Sequence, residues 1–161
     1  MKKKHEWTKH AQHEGLRLAA CFGAALFAFQ LVARLLAALT DTAQIIVGFA
    51  GWQVPFVDAA YYAAAIAVGY ILPAKASEKA GLTLNHSTLL LLVLGTAFVA
   101  AVLGAFTPLV YSLFFAVPGS ANLAAFMLDP AYWAYSVGYG FALTAAFLCI
   151  GLLIDFVVKR K

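Results

Sequence analysis

The chain has 161 residues, of which 64% are hydrophobic and 11% charged. Soluble domains sit near half apolar and a quarter charged, so lipid must be the solvent for most of this surface. The net charge of +4 is gathered in "MKKKHEWTK", "AKASEK" and "VVKRK". With no soluble fold to carry them, these clusters point to anionic lipid headgroups and away from nucleic acid.

Residues 1–15 read as a basic cytoplasmic arm. On a helix, Glu6, His10, His13 and Glu14 share one face, which is a weak transition-metal pattern. No thiolate or fixed loop supports it, so the arm is read as a solvated juxtamembrane helix anchored by Trp7. No metal and no cofactor is expected.

The first predicted span covers 16–39. Its full length, interrupted by Arg34, argues for an uncleaved helix and against a signal peptide. An arginine in a membrane helix costs about 3 kcal/mol at the centre and usually faces the protein interior or water. Gln30 lies one turn before it on the same face. Asp41 and Asp58 are its candidate counter-ions. The bland reading is a snorkelling or stapling arginine. The functional reading is a polar pocket or conduit lined by Gln30, Arg34 and Asp58, suited to an anionic solute.

The following loop, "AQIIVGFAGWQV", is too apolar for a solvated loop and too short to span, as is "ANLAAFML" later in the chain. Both are expected to be interfacial or re-entrant. The second span covers 54–72 and is expected to stop at Pro73. The third covers 87–117 and is kinked at Pro108, where Thr107, Tyr111 and Ser112 are available to re-satisfy the backbone. The fourth covers 131–158, and Asp155 and Lys159 are spaced for a helical ion pair. Lysine and arginine occur in the arm, between spans two and three, and in the tail, whereas 40–53 and 118–130 have none. The positive-inside rule then places both termini in the cytoplasm, most simply that of a bacterial inner membrane.

"FVDAAYYA", from Phe56, and "MLDPAYWA", from Met127, look alike, and "LLAALTD" resembles "VLGAFTP". Two tandem parallel hairpins would be related by an axis along the membrane normal. Asp58 and Asp129 precede apolar runs and read as helix caps, with Pro130 at the first helical position. Trp52, Tyr61, Tyr62, Tyr132, Trp133 and Tyr135 read as interfacial anchors. Cys21 and Cys149 read as small buried hydrophobes. Alanines and glycines four apart, such as Ala63-Ala67 and Ala97-Ala101-Ala105, favour close helix packing.

"ARLLAALT" followed by an apolar loop, "VPF" and a second span resembles the two-span unit of YggT-like proteins. That likeness covers one hairpin and is carried by composition, so it transfers no residue role.

The expected fold is all-α: one membrane domain of four transmembrane helices. No predicted span holds a histidine or glutamate, and no H-E-x-x-H, nucleophile elbow or phosphate loop is present. The expected function is a non-enzymatic accessory or structural subunit of a larger membrane complex, partnered by other membrane subunits or by itself as a homo-oligomer. The alternative is a small oligomeric channel or transporter using Gln30, Arg34 and Asp58.

Overall fold

A computed structural model describes residues 2–40, 42, 45–49, 52–80, 86–114 and 127–159. Its elements are α1 (Lys2–Leu39), β1 (Ile46–Phe49), β2 (Trp52–Pro55), α2 (Phe56–Ala80), α3 (His86–Gly104), α4 (Thr107–Phe114) and α5 (Pro130–Lys159). Four stretches are long and apolar enough to cross a membrane: His13–Leu39, Phe56–Glu78, Thr88–Val110 and Pro130–Lys159.

α1 joins the basic arm and the first span in one uninterrupted helix, because no proline occurs before Pro55. Its last turn is closed by Thr40, whose N–H and hydroxyl both donate to the Leu36 carbonyl, at 2.9 and 2.8 Å. The apolar loop that follows is a β-hairpin. Its β-branched and aromatic residues suit extended backbone. Antiparallel pairing matches Ile46 with Pro55 and Phe49 with Trp52. The Phe56 N–H donates to the Ile45 carbonyl at 2.8 Å, fastening the hairpin to the start of α2. The loop expected to be interfacial or re-entrant forms a strand ladder, which satisfies backbone groups within the loop itself. Most of the second apolar loop, 115–126, lies outside the described residues, as does Asp41.

The second span does not stop at Pro73, as expected; α2 runs through it to Ala80. Proline removes one helical hydrogen bond, and its ring crowds the carbonyl four residues earlier. That residue is Gly69, and α5 packs directly on this turn. Pro73 is itself buried, and the Ser77 hydroxyl donates to its carbonyl at 2.8 Å. Tertiary packing therefore holds the helix across the proline.

The third span does break near Pro108. α3 ends at Gly104, a two-residue turn follows, and α4 starts at Thr107.

α1 packs on α2 and α3, and α5 packs on the same two helices. The ring order is α1, α2, α5, α3. α1 and α3 run in the same direction: a Cβ on Gly95 would lie 3.1 Å from that of Ala19, and one on Gly104 would lie 3.5 Å from Gln30 Oε1. α2 and α5 also run together, from Tyr61 beside Thr144 to Tyr70 beside Gly151. The two hairpins thus lie side by side. A two-fold axis along the bundle would put α1 and α3 at opposite corners, so the expected rotational relation is not the one observed.

Van der Waals fit, not water release, holds helices together in lipid, so small residues at the crossings matter most. Gly69 sits on the Leu148 carbonyl and Gly151 on the Ile66 carbonyl, a reciprocal backbone-to-backbone crossing of α2 and α5. Gly23 plays a similar part against α3, where a Cβ would meet Val99 Cβ at 2.6 Å. Leu26, Leu72, Val93 and Leu148 fill the centre, with Ala97, Ala100, Ala101 and Ala105 lining it. Ala63 and Ala67 instead lie on the outer surface. Cys21 is exposed and Cys149 half-buried, both free. Cys21 is therefore not the buried hydrophobe expected, since its face of α1 turns away from the other helices.

Candidate functional site

Polar groups gather at the hairpin end of the bundle, where α1 and α3 finish and α2 and α5 begin. Arg34 Nη2 lies 3.1 Å from Asp58 Oδ1, a pair that ties α1 to α2. Asp58 is not a cap. α2 starts two residues earlier at Phe56, so Asp58 occupies its first turn, where a carboxylate also favours the helix dipole. The hairpin contact between Phe56 and Ile45 sets that earlier start. Both side chains are part-exposed, and Arg34 Nε is buried without a partner.

Gln30 does not join this pair. Its Oε1 turns to Gly104, at the end of α3. Residues four apart on a helix differ by about 40° in direction. Here that rotation carries Arg34 to the α2 side and Gln30 to the α3 side. The three residues predicted as one group therefore stand at two adjoining places.

The second place is the break between α3 and α4. The Ala105 N–H keeps its helical bond to Ala101, but Phe106 bonds Leu103 at 3.0 Å, tightening the last turn. Leu109 and Val110 both donate to the Phe106 carbonyl. Pro108 has no N–H to give Gly104, and the Leu109 N–H is diverted from Ala105. The freed Ala105 carbonyl accepts the Tyr132 hydroxyl from α5 at 2.7 Å. Trp133 lies against Phe106 edge to face at 5.0 Å and donates its Nε1–H to the Met127 carbonyl at 2.8 Å. Thr107 is 5% exposed, and its hydroxyl has no partner. Ser112 bonds the Leu109 carbonyl within its own helix at 2.7 Å. The side chain of Tyr111 lies outside the described residues.

Tyr132 and Trp133, expected as lipid anchors, thus hold the broken helix. Tyr132→Phe should leave Ala105 unpaired and cost about 1 kcal/mol. Hydrogen exchange should speed in α4 and not in α2. Equal acceleration of both helices would refute this local role.

Tyr61 also departs from the anchor expectation. It is 6% exposed, with its hydroxyl 2.8 Å from that of Thr144 inside the bundle. Tyr62 stacks on Phe147 at 4.3 Å. Nothing in the local pattern separates these from interfacial tyrosines; the α2–α5 crossing turns them inward. Tyr135 and Tyr139 are exposed and stacked on each other at 5.7 Å. The Trp52 side chain lies outside the described residues. Asp129 Oδ1 accepts the Ala131 N–H at 2.9 Å, with Pro130 opening α5. This is N-cap geometry.

At the opposite end, Lys159 meets Asp155 at 2.9 Å and Lys75 meets Glu78 at 2.7 Å. Among the described residues no three of His, Cys, Asp and Glu converge as a metal site would require. The side chains of Glu6 and His10 lie outside the described residues.

The fold defines a helical membrane protein with four spanning-length helices and a polar hairpin end. No family model, curated protein or solved structure matches the chain.

Proposed function

We propose that this protein is a non-enzymatic accessory or structural subunit of a larger membrane assembly. The observation that carries the reading is a stripe on the outer face of α5: Ala134, Gly138, Ala142 and Ala146, four residues apart and all exposed. A Cβ on Gly138 would meet nothing within 4 Å. Small residues at this spacing let a second helix approach closely. Ala20, Ala24 and Ala28 repeat the pattern on α1, at the opposite corner of the ring. Two such faces suit a subunit seated between neighbours in a bilayer. The basic clusters face the cytoplasmic headgroups, with both termini on that side.

The Gln30, Arg34 and Asp58 group supports a second reading, a small oligomeric channel or transporter. It is the weaker one, because Arg34 and Asp58 largely neutralise each other and Gln30 faces a different helix.

Purification from native membranes separates the two. A stoichiometric complex with other membrane proteins, lost on Gly138→Ile while the isolated bundle melts unchanged, is the expected result. A homo-oligomer that conducts solute in liposomes, with flux abolished by Arg34→Ala, would replace it with the transporter reading.

A further inference from the structure

One frame of residues occurs twice in the chain and takes two forms. Gly69, Pro73 and Ser77 on α2 have the spacing of Gly104, Pro108 and Ser112 at the α3–α4 break. Each is a glycine four residues before a proline and a serine four after it. In α2 the helix passes through the proline, and Ser77 donates to the Pro73 carbonyl at 2.8 Å. In the third span the helix is interrupted, and Ser112 donates to the Leu109 carbonyl at 2.7 Å. The frame is therefore compatible with continuous helix in this protein, and Pro108 by itself does not account for the break.

The neighbours differ. Gly69 rests on the Leu148 carbonyl, and that contact holds its turn of α2 closed. Beside Gly104, the Ala105 carbonyl is drawn to the Tyr132 hydroxyl at 2.7 Å, and Phe106 lies edge to face against Trp133 at 5.0 Å. The broken form also has a defect. Thr107 is buried, and its Oγ1 has no partner. In a continuous helix that hydroxyl would reach the carbonyl of Leu103, four residues back, as helical threonines do. In the broken form the Leu103 carbonyl accepts the Phe106 N–H at 3.0 Å.

We propose that α3–α4 is a two-state element, latched in its broken form by Tyr132 and Trp133. In the continuous form the Leu109 N–H takes the Ala105 carbonyl from Tyr132, and the Thr107 hydroxyl bonds Leu103. Ser112 bonds Pro108 as Ser77 bonds Pro73. The Gly104 carbonyl lacks its helical donor in both forms, as the Gly69 carbonyl does in α2, because proline has no N–H. One set of hydrogen bonds is exchanged for another, which is what lets two arrangements lie close in free energy. The continuous form carries α4 along the line of α3. Release of the latch also explains faster exchange in α4 of Tyr132→Phe, since Leu109 changes acceptor at each passage. The switch goes beyond the proposed function and stands whether the protein is a subunit or a transporter.

The test is a distance measurement between spin labels on the full chain in lipid nanodiscs, with Cys21→Ala and Cys149→Ala as background. Leu91→Cys and Leu113→Cys place the labels on α3 and α4, at side chains 71% and 76% exposed. A continuous helix separates these positions by about 33 Å, and the broken form brings them closer. The wild type is expected to show mainly the shorter distance. Tyr132→Phe should raise the population near the continuous-helix distance several-fold. Adding Thr107→Val, which removes the hydroxyl gained on straightening, should reverse that rise, whereas adding Thr107→Ser should not. Should Tyr132→Phe not fold, Trp133→Leu releases the same latch from the Phe106 side. Tyr61→Phe, which removes a tyrosine hydroxyl bonded elsewhere in the bundle, should change nothing. Identical distance distributions in the wild type and Tyr132→Phe would overturn the proposal. So would an equal shift in Tyr61→Phe.

Discussion

Gly151→Ala is expected to destabilise the bundle by about 3 kcal/mol, at the upper end of what overpacking a tight interface costs. A Cβ there would run into the Ile66 carbonyl and stand 2.8 Å from the Tyr70 backbone nitrogen. These are backbone atoms within α2, and no rotamer change can move them aside. The two helices must separate instead, which also loosens the reciprocal seat of Gly69 on Leu148. Dispersion falls steeply with separation, and in lipid no hydrophobic term compensates. Gly69→Ala should act in the same direction and combine less than additively, because both substitutions open one crossing. Gly138→Ala on the outer face of the same helix is the control. It meets nothing within 4 Å and should be neutral or slightly stabilising through helix propensity. Unfolding of purified variants in a detergent titration measures all three. A Gly151→Ala midpoint equal to that of Gly138→Ala would remove the α2–α5 crossing as the main structural contact.

The second large effect concerns Arg34 and Asp58. Arg34→Met leaves the Asp58 carboxylate without its counter-ion, and Asp58→Leu does the same to the guanidinium. Each is expected to cost about 2 kcal/mol. This is below the 3–5 typical of deeply buried pairs, because both groups are part-exposed. The double variant should recover most of the loss, since two apolar side chains need no partner at membrane depth. The cycle also bears on function. In a structural subunit, the recovered double variant should assemble with its partners as the wild type does. A conduit would stay inactive in the double variant despite regained stability. Costs that simply add across the cycle would show that the two residues do not act as a pair.

The sequence made the long helices legible because hydropathy and length suffice for them. The spans 16–39 and 131–158 follow from long apolar runs, and the Asp129–Pro130 start from local cap chemistry. Asp58 was legible as one of two candidate partners for Arg34, beside Asp41, because an arginine in an apolar helix must find an anion; the sequence alone did not choose between them. Local pattern failed where a neighbouring helix decided the outcome. Pro73 reads as a stop, and packing against α5 carries the helix through it. "AYYA" and "AYWA" look interchangeable. Yet Tyr61 is buried against Thr144, whereas Tyr132 bonds a carbonyl of a broken helix. Gln30 and Arg34 share a helical face, and only the positions of α2 and α3 send them to different partners.

By itself the sequence determined that this chain has four helices fit to cross a membrane, for the physical reason that apolar length and backbone self-satisfaction leave lipid no other solution. The tertiary structure decided which helices are neighbours, which tyrosines are interior, and that the two hairpins stand side by side. Those outcomes depend on where small residues let backbones touch, and Gly69 meeting Leu148 is a relation between distant residues that no local window contains.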